Sequence, residues 1–210
     1  MTSTPTKPKL WHTRHSRSLR PLWLAYEMGL ELEVQTIPND RSYFASAAWA
    51  AINPAGKVPV LHDGEARIGE SIAIMQYLMA RHGPTELDVA PSEAEYGAYL
   101  FWLHYAEAGS CAYIATLLGH VAGVPEYQVS DAHLALLDRQ LERLQSLTAE
   151  ATGGRPHLHD RGFSAADVAL GYTFHLARFT KRPWRDEVQS YMDALYARPA
   201  FARAIALGKT

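Results

Sequence analysis

Residues 53–71 read Asn53-Pro54-Ala55-Gly56-Lys57-Val58-Pro59-Val60-Leu61-His62-Asp63-Gly64-Glu65-Ala66-Arg67-Ile68-Gly69-Glu70-Ser71, and the fold turns on how they are read. Val58 to His62 has the β-branched, apolar character of a strand, and Asp63-Gly64 behind it is a strong hairpin turn. Glu65 to Ile68 is then the return strand. A helix follows from about Ser71 to His82, with Ile74, Tyr77, Leu78 and Arg81 on one stripe and Gly83 as its C-terminal stop. A proline at the start of a strand removes a ladder donor, which confines it to an edge, a strand start or a bulge. If the Val58-Pro59 bond is cis, Val58 turns its own N–H and C=O outward, free to pair with a peptide ligand. An ordinary trans proline is the alternative.

Upstream of this stretch, Lys9-Leu10-Trp11-His12 reads as a short strand. Leu19, Leu22, Trp23, Tyr26 and Leu30 repeat at helical spacing, and Glu31 to Ile37 alternates like a half-buried strand. The order β-α-β-(α)-β-β-α predicts an α/β domain over residues 1–83, a mixed four-stranded sheet with helices on its faces. Downstream, the turn residues of 84–91 mark a linker, and 92–210 shows no alternating pattern, which predicts an all-helical domain. Within it, Ser92 and Glu95 have capping-box spacing ahead of a long helix through Tyr99, Leu103, Ala106 and Ile114. Leu134, Leu137, Leu141 and Leu144 mark another helix, stopped by Gly153-Gly154. Ser164 and Asp167 form a second capping box, with Phe163 and Val168 placed to staple it. Arg198-Pro199 is a start for a last helix.

The 210 residues carry a net charge of -2, so no electrostatic argument favours nucleic acid or an anionic membrane as partner. No apolar run reaches the roughly 18 residues needed to cross a bilayer, and the polar N-terminus lacks the core of a secretory signal. Cys111 is the only cysteine, which excludes an internal disulfide and a Cys-x-x-Cys pair. It sits mid-helix and reads as a small buried residue. A reducing cytoplasm fits these features. His157-x-His159-Asp160 places three possible ligands close together, but without a distant partner cluster it does not predict a metal site.

Three features carry chemistry. In His15-Ser16-Arg17-Ser18-Leu19-Arg20, Ser16 or Ser18 is either a helix cap or a hydroxyl offered to an anion at a helix N-terminus. Gly69-Glu70-Ser71 is either another cap or a pocket for a zwitterionic amino-acid end, with Ser71 and first-turn N–H groups on the carboxylate and Glu70 on the ammonium. Tyr105, Gly109 and Tyr113 recur every four residues and share a face, which either lines an apolar pocket or packs in the core.

In this order the stretches SRSLRPLWLAYEMGLELE, NPAGKVPVL, GESIAIMQYL, WLHYAEAGS and FSAADVAL, between residues 16 and 171, resemble the soluble glutathione transferases, especially the bacterial and fungal type with a Ser-Arg-Ser-x-Arg turn. The resemblance implies a thioredoxin-like first domain that binds glutathione as co-substrate, without a metal, and a helical domain that holds a small hydrophobic electrophile. It implies that Ser16 stabilises the glutathione thiolate. In some classes the catalytic group is shifted along this turn, which keeps Ser18 and His15 as alternatives. Arg14-His15 stands where small or amide residues are more usual. Val58, before a cis Pro59, would pair with the cysteinyl part, Glu70 and Ser71 would hold the γ-glutamyl end, and Lys57 is a partner for the glycyl carboxylate. Tyr105, Gly109 and Tyr113 would line the second-substrate pocket. The expected reaction is attack of the thiolate on an electrophilic carbon or a peroxide, as in detoxification. The alternatives are glutathione-dependent isomerisation, dehalogenation or peroxidase chemistry, or a catalytically silent binding module. The resemblance also implies a cytoplasmic homodimer, supported by an aromatic-rich first domain expected to have apolar surface to spare.

Overall fold

A computed structural model of the chain describes residues 7–207. The chain runs β1 (Lys9–His12), α1 (Leu19–Glu27), β2 (Glu33–Thr36), α2 (Arg41–Phe44), α3 (Ala47–Ile52), β3 (Val60–Asp63), β4 (Ala66–Ile68) and α4 (Ser71–His82). The four strands form one sheet in the order β2-β1-β3-β4, with β1 parallel to β2 and antiparallel to β3, and β3 antiparallel to β4. This is the mixed sheet the strand and hairpin signals predict. Its register puts Leu10 beside Leu61 and Trp11 beside Val60. Because strand side chains alternate, the pairs fall on opposite faces. Leu10 and Leu61 are fully buried on one; on the other, Trp11 and Val60 cluster with Ile37 and with Trp49 of α3.

The remaining elements are helical: α5 (Tyr96–His104), a π-helical segment (Tyr105–Cys111), α6 (Ala112–Val121), α7 (Asp131–Thr152), α8 (Ala165–Ala177), α9 (Asp186–Tyr196) and α10 (Pro199–Ala206). Every residue of α8 is buried, so it is the core of this part of the chain. Its start is fixed as the sequence predicts: the Asp167 carboxylate accepts from Ser164 N–H at 2.9 Å, while Ser164 Oγ caps the first turn. Asp167 also accepts from Leu158 N–H at 2.9 Å and from the Tyr191 hydroxyl at 3.0 Å. With the Ser164 hydroxyl at 3.2 Å, a carboxylate with no exposure is satisfied by four donors. Gly153, at φ 53°, ends α7 in the left-handed conformation glycine favours.

Three expectations are corrected. The chain forms two compact units, one of the first 85 residues together with Pro199 onward, the other Glu86–Arg198. The last helix therefore leaves the helical unit expected over 92–210 and joins the first. The reason is aromatic: Phe201 of α10 meets Trp23 of α1 at 4.8 Å between ring centroids, and Arg203 lies over the Tyr26 ring at 3.9 Å. The segment 84–91 is no loose linker. Leu87 and Val89 are buried, and the Leu87 carbonyl accepts from Ala165 N–H at 2.9 Å. The capping box expected at Ser92–Glu95 does not form, and α5 begins at Tyr96. The carboxylate it needs is held elsewhere: Glu95 accepts from Asp160 N–H at 2.9 Å and from Arg161 N–H at 3.4 Å.

Candidate functional site

The sheet order decides which motifs meet. The antiparallel pairing of β1 and β3 places the C-terminal end of β1 beside the N-terminal end of β3, with Trp11 opposite Val60. The β1–α1 turn and the 53–59 loop therefore emerge at one end of the sheet. The third motif is joined to them by a side chain. Arg20 of α1, completely buried, donates from its guanidinium to Ser71 Oγ at the start of α4, at 3.1 Å. Sequence reading assigned Arg20 no role. Its signal was there: a charged residue lying between Leu19 and the buried Trp23 and Leu24 on the apolar side of α1.

The β1–α1 turn is built around two hydroxyls. Thr13, buried, donates through Oγ1 to the Ile37 carbonyl and pins the turn to the end of β2. His15 takes the left-handed conformation at φ 58°, which reverses the chain just before Ser16. Ser16 Oγ donates to the Thr13 carbonyl at 2.7 Å and lies 2.6 Å from Ser18 Oγ. Ser18 stands at the N-cap of α1 but its side chain makes no cap bond. It turns back instead, accepting from Thr13 N–H at 3.2 Å and meeting His12 Nδ1 at 2.8 Å. The two serines differ in access: Ser18 is fully buried and Ser16 only partly. Burial, then the nearby His15, holds the His12 imidazole down to about 4, so it is neutral at physiological pH.

Asn53 organises the second loop. Its Oδ1 accepts from Ala55 N–H at 3.1 Å and its Nδ2 donates to the Lys57 carbonyl at 2.6 Å, while Gly56 supplies φ 66°. The Val58-Pro59 bond is cis. Among the described residues no hydrogen bond engages the peptide groups of Val58. The Lys57 side chain is exposed. At the third motif, Ser71 is buried as the first residue of α4, and Glu70 before it is exposed at φ 63°, ψ 117° without a side-chain cap bond. The expected cap is therefore absent, which leaves the first turn of α4 without a side-chain acceptor.

Residues 7–80 match the family model for the glutathione S-transferase N-terminal domain. The chain is 27% identical over 215 residues to glutathione S-transferase GstB of Escherichia coli K12, spanning 93% of this chain and 96% of that one. It is 30% identical to glutathione S-transferase 3 of Schizosaccharomyces pombe over 105 residues, half of this chain and 43% of that protein. Among solved structures, the theta class glutathione S-transferase of Xanthomonas axonopodis pv. citri, with glutathione bound, superposes with a TM-score of 0.79 at 28% identity, over 99% of this chain and 100% of that one. Residues 7–80 are thus a glutathione S-transferase N-terminal domain, and over its length the chain is similar to glutathione S-transferases.

In the second unit, Tyr105, Gly109 and Tyr113 are near one another, though not as one regular α-helical face. Residues 105–111 form a π-helical turn, which widens the spacing. The Tyr105 ring lies over Gly109, where a Cβ would stand 2.1 Å from it, and stacks on Phe101 at 5.1 Å. The gap expected at Gly109 is thus filled by the neighbouring ring. Tyr113 is exposed. The other residues weighed for chemistry are dispersed. Among the described residues no group of three or more His, Cys, Asp or Glu side chains is placed to hold a metal: His157 packs on Phe163, His159 is buried 3.7 Å from Glu95, and Asp160 pairs with Arg155. Cys111 is free and buried. No helix among the described residues is long and apolar enough to cross a membrane.

Proposed function

We propose that this transferase activates glutathione through Ser16 and directs the thiolate at a small hydrophobic electrophile. The observation that carries this reading is the difference between the two serines. Ser16 is reachable and its proton rests on a backbone carbonyl, whereas Ser18 is sealed. A thiolate bears a full charge and is a better acceptor than a carbonyl, because hydrogen bonds to ions are roughly twice as strong as neutral ones. The Ser16 hydroxyl turns to it when glutathione arrives. In this reading the Val58 peptide groups pair with the cysteinyl residue, Ser71 and the first turn of α4 hold the γ-glutamyl carboxylate, Glu70 holds its ammonium, and Lys57 meets the glycyl carboxylate. Tyr105 and Tyr113 offer aromatic surface to the electrophile. The active species is a homodimer, as in the sequence-based expectation.

A thiol with an ordinary pKa of about 8.5 is a few per cent ionised at neutral pH. To be mostly ionised at pH 7 it must fall by roughly 2 units, about 2.7 kcal/mol. One hydroxyl bond to an anion contributes about 1.5–3 kcal/mol, and a helix N-terminus adds up to about 1 kcal/mol. Together these suffice without a general base. The test is a titration of bound-thiolate absorbance. Ser16→Ala should raise the thiol pKa by about 1 unit or more while glutathione still binds, and Ser18→Ala should do much less; the reverse pattern moves the role to Ser18. A turnover screen with aryl halides, epoxides, isothiocyanates and hydroperoxides names the electrophile. Binding without turnover of any of them would identify a silent binding module.

A further inference from the structure

Three contacts in the β1–α1 turn form an unbroken chain. His12 Nδ1 lies 2.8 Å from Ser18 Oγ, Ser18 Oγ lies 2.6 Å from Ser16 Oγ, and Ser16 Oγ lies 2.7 Å from the Thr13 carbonyl oxygen. Each separation needs a proton between its two heavy atoms, and each hydroxyl has one proton to give. A carbonyl has none, so the Ser16 proton fills the last contact. The contact between the two serines must then be filled by the Ser18 proton. Nothing remains on Ser18 for the imidazole, so the first contact is filled by a proton on His12 Nδ1. Thr13 N–H supplies a second donor to Ser18 Oγ at 3.2 Å, and for the Ser18 proton the Thr13 carbonyl, at 3.2 Å, is a more distant acceptor than Ser16 Oγ at 2.6 Å.

We propose that His12 is a positioning residue of the thiol site. Its Nδ1–H orients the Ser18 proton onto Ser16 Oγ, which commits the Ser16 proton outward, to the Thr13 carbonyl at rest and to the thiolate when glutathione is bound. The inference rests on the reading of Ser16 as the thiolate donor. With the opposite tautomer, Ser18 would give its proton to the imidazole. Ser16 would then have to serve Ser18 and the thiolate with a single hydrogen. The aligned chain also polarises each hydroxyl in the same sense, which strengthens the last bond. The imidazole suits this role because it is buried at 1% exposure and neutral. Its counterpart on β2 is the uncharged Thr36, and in the turn the charged or titratable neighbours are His15 and Arg14, which disfavour protonation of the histidines beside them.

Two variants separate the proton from the packing. His12→Asn keeps an N–H close to the place of Nδ1, and His12→Leu has nearly the same shape without one. Bound-thiolate absorbance should show the thiol pKa of the Leu variant raised by about 0.2–0.6 unit, with glutathione affinity within about threefold of the parent. His12→Asn should restore the parental value. The double variant His12→Leu/Ser18→Ala should shift the pKa no further than either single change, since both cut one chain. Independently of any variant, nitrogen NMR of the parental complex should find the His12 proton on Nδ1. A proton on Nε2 there, or a Leu variant that titrates like the parent, overturns the proposal while leaving Ser16 in place. If the parent's bound thiol titrates like free glutathione, the Ser16 reading falls and the role of His12 with it.

Discussion

Glu70 is held at φ 63°, ψ 117°, a conformation that costs a residue with a Cβ on the order of 1–3 kcal/mol. Such a cost at an exposed side chain beside a buried Ser71 is understandable if the carboxylate must face the same ligand as the α4 N-terminus. The two contributions separate by mutation. Glu70→Gly should relieve the backbone and leave the protein at least as stable as its parent in urea unfolding, despite the extra flexibility glycine gives the unfolded chain. Yet it should weaken glutathione binding by roughly 10- to 150-fold, the loss expected for a charge-assisted bond of about 1.5–3 kcal/mol. Ser71→Ala and Glu70→Gln should show the same loss, in the Michaelis constant rather than in turnover. Normal calorimetric binding in all three would show the pocket to be misplaced. At this scale local placement was legible: the turns and element starts that carry Ser16, Val58, Glu70 and Ser71 announced themselves by their immediate neighbours. Arg20 and His12 did not, because what makes them matter is a partner 51 positions away in one case and a turn's hydrogen-bond geometry in the other.

Among the elements, the π-helical segment at Tyr105–Cys111 was invisible in the sequence, whose apolar spacing suits an uninterrupted helix. Its local structure depends on Gly109 making room for the Tyr105 ring, which in turn stacks on Phe101. Gly109→Ala should therefore cost about 1–3 kcal/mol, as overpacking does, and the cost should largely vanish in a Tyr105→Ala background. Equal costs in both backgrounds, measured by thermal unfolding, would mean the ring is not the obstacle. The Ser164–Asp167 cap shows the opposite case. There the sequence pattern and the structure coincide: one Asp167 oxygen takes Ser164 N–H, and the other serves the remote Leu158 and Tyr191. Ser164→Ala should cost about 1 kcal/mol or somewhat more, given its burial. The Ser92–Glu95 pattern has the same spelling and fails, because Glu95 is taken by Asp160 and Arg161. A capping box can be read from four residues only when remote donors leave it one carboxylate oxygen.

For the whole molecule, five histidines, His12, His15, His62, His157 and His159, are all held below their ordinary range, chiefly by burial. A base that is harder to protonate when folded makes the unfolded chain the better proton acceptor. Stability must then rise with pH through this window and fall as the pH drops from about 6.5 towards 4. For His12, from 6.5 to about 4, the linked loss is about 3 kcal/mol at most. Denaturant midpoints should decline over that range, and the decline should be shallower in His12→Asn. A flat profile would show that these imidazoles gain water or partners on acidification. Light scattering should give twice the 23.3 kDa of one chain. The basis for that expectation shifts, however. The large exposed hydrophobic side chains among the described residues, Phe101, Tyr113, Tyr127, Leu136 and Phe179, all belong to Glu86–Arg198, and none to the first unit.

The return of α10 to the first unit has a consequence for biosynthesis. The ribosome delivers the N-terminus first, at roughly 5–20 residues per second. The strands and helices of residues 9–82 are therefore out early, but Trp23 waits for Phe201, 178 positions further on (201 − 23). The helical unit, contiguous at Glu86–Arg198, has all its parts sooner. Of the two units, the one begun first is thus the one completed last. During that interval the nascent polypeptide presents the apolar flank of α1 to whatever chaperone stands at the tunnel exit.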